Sequence, residues 1–180
     1  MTKLSVAIMV LLAISFLRDS PAAAKGNHER NGDYLEIVLP GLGLATCTVI
    51  ADWDGCLMWI KSTAATALTT QALKHTIKAK RPYGDTRYDS FPSGHTSAAF
   101  SGAAFLQMRY GWWAGVPAYA AASYTGWSRV NANKHYWHDV IAGAAIGIGF
   151  NWWLTDRYPG RTVQASYNGN EIRLALLSSF

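Results

Sequence analysis

The chain has 180 residues, of which half are hydrophobic and only 15% charged, and its formal net charge is +5. That length suits one compact domain with a sizeable core, and the charge favours anionic ligands or lipid head groups, while nothing resembles a nucleic-acid module. Mean hydropathy is +0.03, and no apolar segment of the mature part runs cleanly for about 20 residues, which favours a soluble or surface-attached protein over a polytopic one.

In chain order, Lys3, the apolar run Ser5–Leu17 and Ala22-Ala23-Ala24 before Lys25 fit a secretory signal over residues 1–24, with an uncleaved N-terminal anchor as the alternative. Such a leader sends the protein to the periplasm or cell envelope. There Cys47 and Cys56, on either side of the Asp52–Gly55 turn, can pair or stay as two buried thiols. Lys25–Asp33 is polar and reads as a loose lead-in, His28 included. Helices are predicted over Tyr34–Ala51 and Leu57–Ala79, and Pro82 stops the second. After a polar loop, Tyr83–Phe91, a third helix starts at Pro92–Ser93 and reaches about Arg109. A fourth covers Trp113–Trp127 and a fifth Tyr136–Thr155. Long helices with short connections make an all-α, antiparallel bundle of about five core helices over residues 25–160. Residues 161–180 are a tail in which Arg161–Tyr167 and Glu171–Leu177 flank Asn168-Gly169, a short β-hairpin signal. Trp112, Trp113, Trp152 and Trp153 stand at segment ends, where interfacial anchors stand, although tryptophan also fills cores and lines grooves.

Three stretches carry chemistry. Lys74 and Arg81 are seven residues apart, hence on one helical face, and can point into one pocket; a solvated basic face would look the same. Pro92-Ser93-Gly94-His95 is a helix start whose N–H groups, serine hydroxyl and glycine backbone suit an anion, with His95 at its mouth. It also reads as a plain capped helix. Last comes Ser128-Arg129, then His135 and Asp139. Asp139 one turn from His135 can accept one ring N–H and leave the other nitrogen bare for base or nucleophile work. Arg129 adds a planar fork for phosphate or carboxylate. Two arginines, a lysine, a hydroxyl and helix-start N–H groups together suit a tetrahedral oxyanion.

Lys-x6-Arg-Pro, Pro-Ser-Gly-His and Ser-Arg-x5-His-x3-Asp, in this order over Lys74–Asp139, resemble the three-part signature of the type 2 phosphatidic acid phosphatase superfamily. That superfamily includes the bacterial class A acid phosphatases and the vanadium haloperoxidases. The resemblance implies a helical bundle and a phosphatase with no metal or other cofactor. It implies that Lys74, Arg81, Ser93, Gly94 and Arg129 hold the phosphoryl oxygens. His135 would attack phosphorus to give a phosphohistidine, Asp139 would orient its ring, and His95 would protonate the leaving oxygen. Phosphoryl transfer depends chiefly on charge stabilisation and in-line positioning, which fixed cations supply.

His138 beside Asp139 mimics a metal-ligand set, but the surrounding cations repel a metal. His75 and Lys78 match no signature position; Lys78, one turn from Lys74, can help draw anions. Tyr83, Tyr88, Phe91 and Trp137 either line the leaving-group side or pack locally. The expected partner is a phosphorylated substrate, lipid-linked or soluble, with membrane-surface contact open. A vanadate-dependent haloperoxidase and a non-catalytic phosphate- or lipid-binding module stand as alternatives.

Overall fold

The computed structural model describes residues 24–83, 85–167 and 172–179; the leader expected over residues 1–24 lies, but for its last residue, outside them. Among the described residues five helices follow one another: α1 (Ala24–Val49), α2 (Trp53–Ile77), α3 (Gly94–Tyr110), α4 (Trp112–Asn131) and α5 (Trp137–Leu154). Two strands, β1 (Gly160–Tyr167) and β2 (Ile172–Ser179), pair antiparallel from Gly160 opposite Ser179 to Tyr167 opposite Ile172. The expected Asn168-Gly169 turn falls outside the described residues. The fold is an all-α bundle with this hairpin appended.

Cross-links between helices set their directions. At one end, Cys47 of α1 is disulfide-bonded to Cys56 of α2, and Arg109 of α3 meets Asp52 beside the start of α2. At the other, His95 near the start of α3 meets Asp33 of α1, and Arg129 near the end of α4 meets the same carboxylate. The five helices therefore run alternately up and down, with four reversals between them, and α3 touches all four others. The disulfide decides between the two expected states of the cysteines.

The first helix corrects the lead-in. Residues 25–33 are helical, not loose, despite Gly26, Asn27 and Gly32, because tertiary contacts outweigh weak propensity. His28 Nδ1 lies 2.6 Å from the Tyr124 hydroxyl and its ring meets Trp127 edge-on, which fastens the start of α1 to α4.

Small residues make the interior. Leu35 and Leu39 of α1, Ala99, Ala103 and Leu106 of α3, and Ala114, Ala118, Ala121 and Ala122 of α4 form one buried cluster. The α2–α3–α5 seam is polar instead: Thr70 donates to Ser97 (3.1 Å), and Asn151 donates to Ser101 (3.0 Å). A Cβ on Gly143 of α5 would sit 2.6 Å from the Ser93 carbonyl, so glycine lets α5 press against the start of α3. The tryptophans expected either inside or at interfaces are outside: Trp53, Trp112, Trp113 (72% exposed), Trp152 (79%) and Trp153 ring the end of the bundle away from Lys74. Among the described residues no helix is long and apolar enough to cross a membrane.

Candidate active site

The loop between α2 and α3 doubles back so that its backbone and side chains meet the end of α2. Lys74 Nζ donates to the Asp89 carbonyl (2.5 Å). Arg81 places its fork on the Asp89 carboxylate, Nε to Oδ1 at 2.7 Å and Nη2 to Oδ2 at 3.0 Å. Arg81 holds the Asp89 carboxyl below the usual carboxylate range. Burial lowers the Lys74 ammonium, with nearby Arg81 adding to the effect and Asp89 and Asp139 opposing it.

His135 stands just ahead of α5, in keeping with the helix start expected at Tyr136. It precedes Tyr136, the N-cap of α5, and Asp139 in the first turn reaches back to it. Asp139 Oδ2 accepts from the Tyr136 N–H (3.0 Å) and the Ser90 hydroxyl (2.5 Å) and stands 3.5 Å from His135 Nδ1. Ser90 and Asp139 are fully buried and His135 nearly so. Burial, then the charges of Arg81 and Lys74, push the His135 imidazole down to about 4, against the opposing pull of Asp139 and the Ser90 carbonyl. At neutral pH the ring is therefore uncharged, with one nitrogen lone pair available. His135 Nδ1 and Asp139 Oδ1 are buried without an aligned hydrogen bond. His138 Nε2 comes within 3.0 Å of Asp139 Oδ1, and its exposed ring stacks on Tyr136.

The Pro-Ser-Gly-His stretch joins this centre through the backbone, the Ser93 N–H donating to the Asp139 carbonyl (3.0 Å). Ser93 caps α3 without bonding its first-turn N–H groups; its hydroxyl pairs with Thr96 Oγ1 (2.9 Å). A Cβ on Gly94 would stand 3.6 Å from Lys74 Cε, so the start of α3 and the end of α2 share one space. Lys74, Arg81, Ser93, Gly94, His135 and Asp139 thus gather in one region.

Arg129 and His95 are gathered differently, through α1. Arg129, buried, donates through Nη1 to Asp33 Oδ1 (2.6 Å), through Nη2 to the Glu29 carbonyl and through Nε to Ser128 Oγ (3.2 Å). His95 Nε2 lies 3.0 Å from Asp33 Oδ1 and 2.8 Å from Glu36 Oε2. Sequence reasoning missed Ser90, Asp33 and Glu36. Glu29, Asp33 and Glu36 recur at helical spacing, a signal that was there to read; Ser90 had none. A cavity of about 340 Å³ opens beside His135, lined by Tyr83, Tyr136 and Trp137 among others.

The family model described as the PAP2 superfamily matches residues 57–162, more than half of the chain and all three motifs. The chain belongs to the PAP2 superfamily. Over 89 residues it is 40% identical to a lipid A 1-phosphatase of Porphyromonas gingivalis, a stretch covering 46% of this chain and 20% of that protein. Over 80 residues it is 42% identical to a lipid A 4'-phosphatase of Helicobacter pylori, covering 44% of this chain and 40% of the relative. The matched stretches thus span less than half the length of either curated relative. A crystal structure of a transmembrane PAP2 type phosphatidylglycerolphosphate phosphatase from Bacillus subtilis superposes with a TM-score of 0.43 and 18% identity, over 84% of this chain and 93% of that one.

Proposed function

We propose that this PAP2 member is a metal-independent phosphatase that removes phosphate from a phosphorylated lipid through a phosphohistidine on His135. The observation that carries the reading is the place of that ring: buried, 3.5 Å from Asp139 Oδ2, and near enough to Lys74 and Arg81 that their charges add to burial in lowering its pKa. The unprotonated nitrogen attacks phosphorus while the bond to the leaving oxygen breaks, and His95 gives that oxygen its proton. Asp139 steadies the positive charge that develops on the ring. Lys74, Arg81, Arg129, the Ser93 hydroxyl and the Gly94 N–H share the phosphoryl oxygens, and Arg81 releases the half-exposed Asp89 carboxylate to do so. Water then attacks the phosphohistidine, His95 takes its proton, and phosphate leaves. Stabilising charge in a water-poor pocket accounts for most of the acceleration in such chemistry.

Two observations favour a lipid substrate. The matched relatives are named lipid A phosphatases. The bundle also leaves Trp53, Trp113, Trp152, Ile60 and Leu68 exposed around a core rich in alanine, and such apolar side chains suit contact with a lipid surface. Aromatic side chains gather at both ends, Tyr83, Tyr88 and Trp137 on the site side, as anchors at a membrane interface do. In this reading residues 1–24 are a leader, residues 25–160 the phosphatase domain and residues 161–180 an appended tail, and the protein works at the periplasmic or envelope membrane.

A phosphate-release screen over lipid A, phosphatidate, a prenyl pyrophosphate and soluble esters, with and without EDTA, tests the proposal. Release from a phosphorylated lipid that EDTA does not diminish and orthovanadate blocks competitively is expected. Release confined to soluble esters would overturn the lipid assignment, and loss on chelation would overturn the mechanism.

A further inference from the structure

The family match begins at residue 57, so α1 lies outside it, yet one stripe of α1 holds residues from two of the three motifs. Glu29, Gly32, Asp33 and Glu36 follow one another at intervals that place them on a single helical face. Asp33 Oδ1 receives Arg129 Nη1 at 2.6 Å and stands 3.0 Å from His95 Nε2. Glu36 Oε2 lies 2.8 Å from the same imidazole nitrogen, and the Glu29 carbonyl takes Arg129 Nη2. Gly32 makes the approach tight: a Cβ there would fall 2.1 Å from Ser128 Oγ and 2.6 Å from Arg129 Nη2. Contact this close fixes the height of the acidic stripe against α4.

We propose that Asp33 and Glu36 are positioning residues of the phosphatase reaction, Asp33 by bridging Arg129 and His95 and Glu36 by holding His95 alone. The inference rests on the phosphatase reading, in which His95 is the proton donor and Arg129 a phosphoryl ligand. A ring with one nitrogen within ion-pair distance of two carboxylates is drawn toward α1, which narrows the directions open to its other nitrogen. Such alignment is what a proton transfer in the transition state requires. The guanidinium gains a different benefit. With Nη1 and Nη2 tied to α1, its plane is set before substrate arrives.

The two carboxylates therefore have separable effects. Glu36→Ala should leave KM unchanged and lower kcat only where the leaving oxygen needs a proton. Asp33→Ala should do both, raising KM through Arg129 and lowering kcat through His95. The full chain is assayed on p-nitrophenyl phosphate, whose leaving group departs without protonation, and on octyl phosphate, whose leaving group does not. Expected for Glu36→Ala is a loss of about tenfold in kcat on octyl phosphate against less than about twofold on p-nitrophenyl phosphate, part of the acid's full contribution. Glu36→Gln, which keeps an acceptor oxygen, should recover most of that loss, and His95→Ala should show the same leaving-group bias more strongly. Equal losses on both substrates, or none, in both Glu36 variants overturn the inference. If His95→Ala shows the bias and Glu36→Ala does not, only the positioning role falls. If neither shows it, His95 is not the proton donor and the inference falls with that assignment.

Discussion

The two ends of the bundle both bury arginine against carboxylate, and they differ in what the partners can give up. At the disulfide end, Asp52 Oδ1 accepts from Gly55 N–H (3.1 Å) and Arg109 Nη2 (2.5 Å), while Oδ2 accepts from Arg109 Nε (2.8 Å) and the Tyr110 hydroxyl (3.0 Å). Arg109 Nη1 goes to the Asp156 carbonyl (3.0 Å). Asp52 and Arg109 are 3–4% exposed, and the set closes on itself, so it serves to lock α1, α2 and α3 together. At the other end Arg81 and Arg129 rest on Asp89 and Asp33, carboxylates 43% and 49% exposed, and a ligand can relieve Arg81 of the first. Beside them are two buried polar atoms, His135 Nδ1 and Asp139 Oδ1, without aligned hydrogen bonds. Closed charge is architecture, whereas charge with replaceable partners is available for work.

Substitutions can break that contrast. The largest effect is expected from His135→Ala, which should cut turnover by at least about 10⁴-fold, as loss of a nucleophile does, with the melting temperature little changed. Arg109→Met should do the reverse. It leaves the Asp52 carboxylate buried and unpaired and should cost about 3–5 kcal/mol by urea denaturation, while the folded fraction keeps its kcat. Arg81→Ala should lower kcat/KM by about 10²–10³-fold, the usual cost of one oxyanion donor. Its stability should shift by less than about 1 kcal/mol, because the lost pair with Asp89 is partly solvated.

The acid limb sharpens the contrast further. Protonation removes the His135 lone pair, so kcat/KM should fall below pH about 4 and not near the ordinary histidine value. The same shift acts on stability. Between the unfolded value of about 6.5 and the folded value of about 4, the unfolded chain binds the proton that the folded chain refuses. Stability therefore decreases as pH falls through that window and increases as pH rises through it. A pH profile of kcat/KM beside pH-dependent urea melts checks both statements.

Five helices were legible in the sequence because proline, glycine and polar loops punctuate long apolar stretches, and apart from the start of α1, which comes well before the expected Tyr34, they begin and end within a few residues of their expected bounds. The motif positions were legible through spacing. What spacing could not show was partnership across the chain. Asp33 and Glu36 lie about 60 or more positions before His95 and Arg129, and Asp33 falls in a stretch whose glycines and asparagines argue against a helix. Packing of His28 on Tyr124 and Trp127 overrides that local preference. Ser90 is one polar residue in a polar loop, and only the return of α5 beneath the loop gives its hydroxyl a carboxylate.

The most direct measurement is rapid acid-free quenching of the full chain during turnover of a radiolabelled phosphate ester, followed by peptide mapping. The account predicts a phosphoryl group on His135, labile to acid and stable to base, that is absent from His135→Ala and builds up when His95 is changed to alanine and a good leaving group is supplied. Steady turnover with the label on another residue, or full activity in His135→Ala, would contradict it.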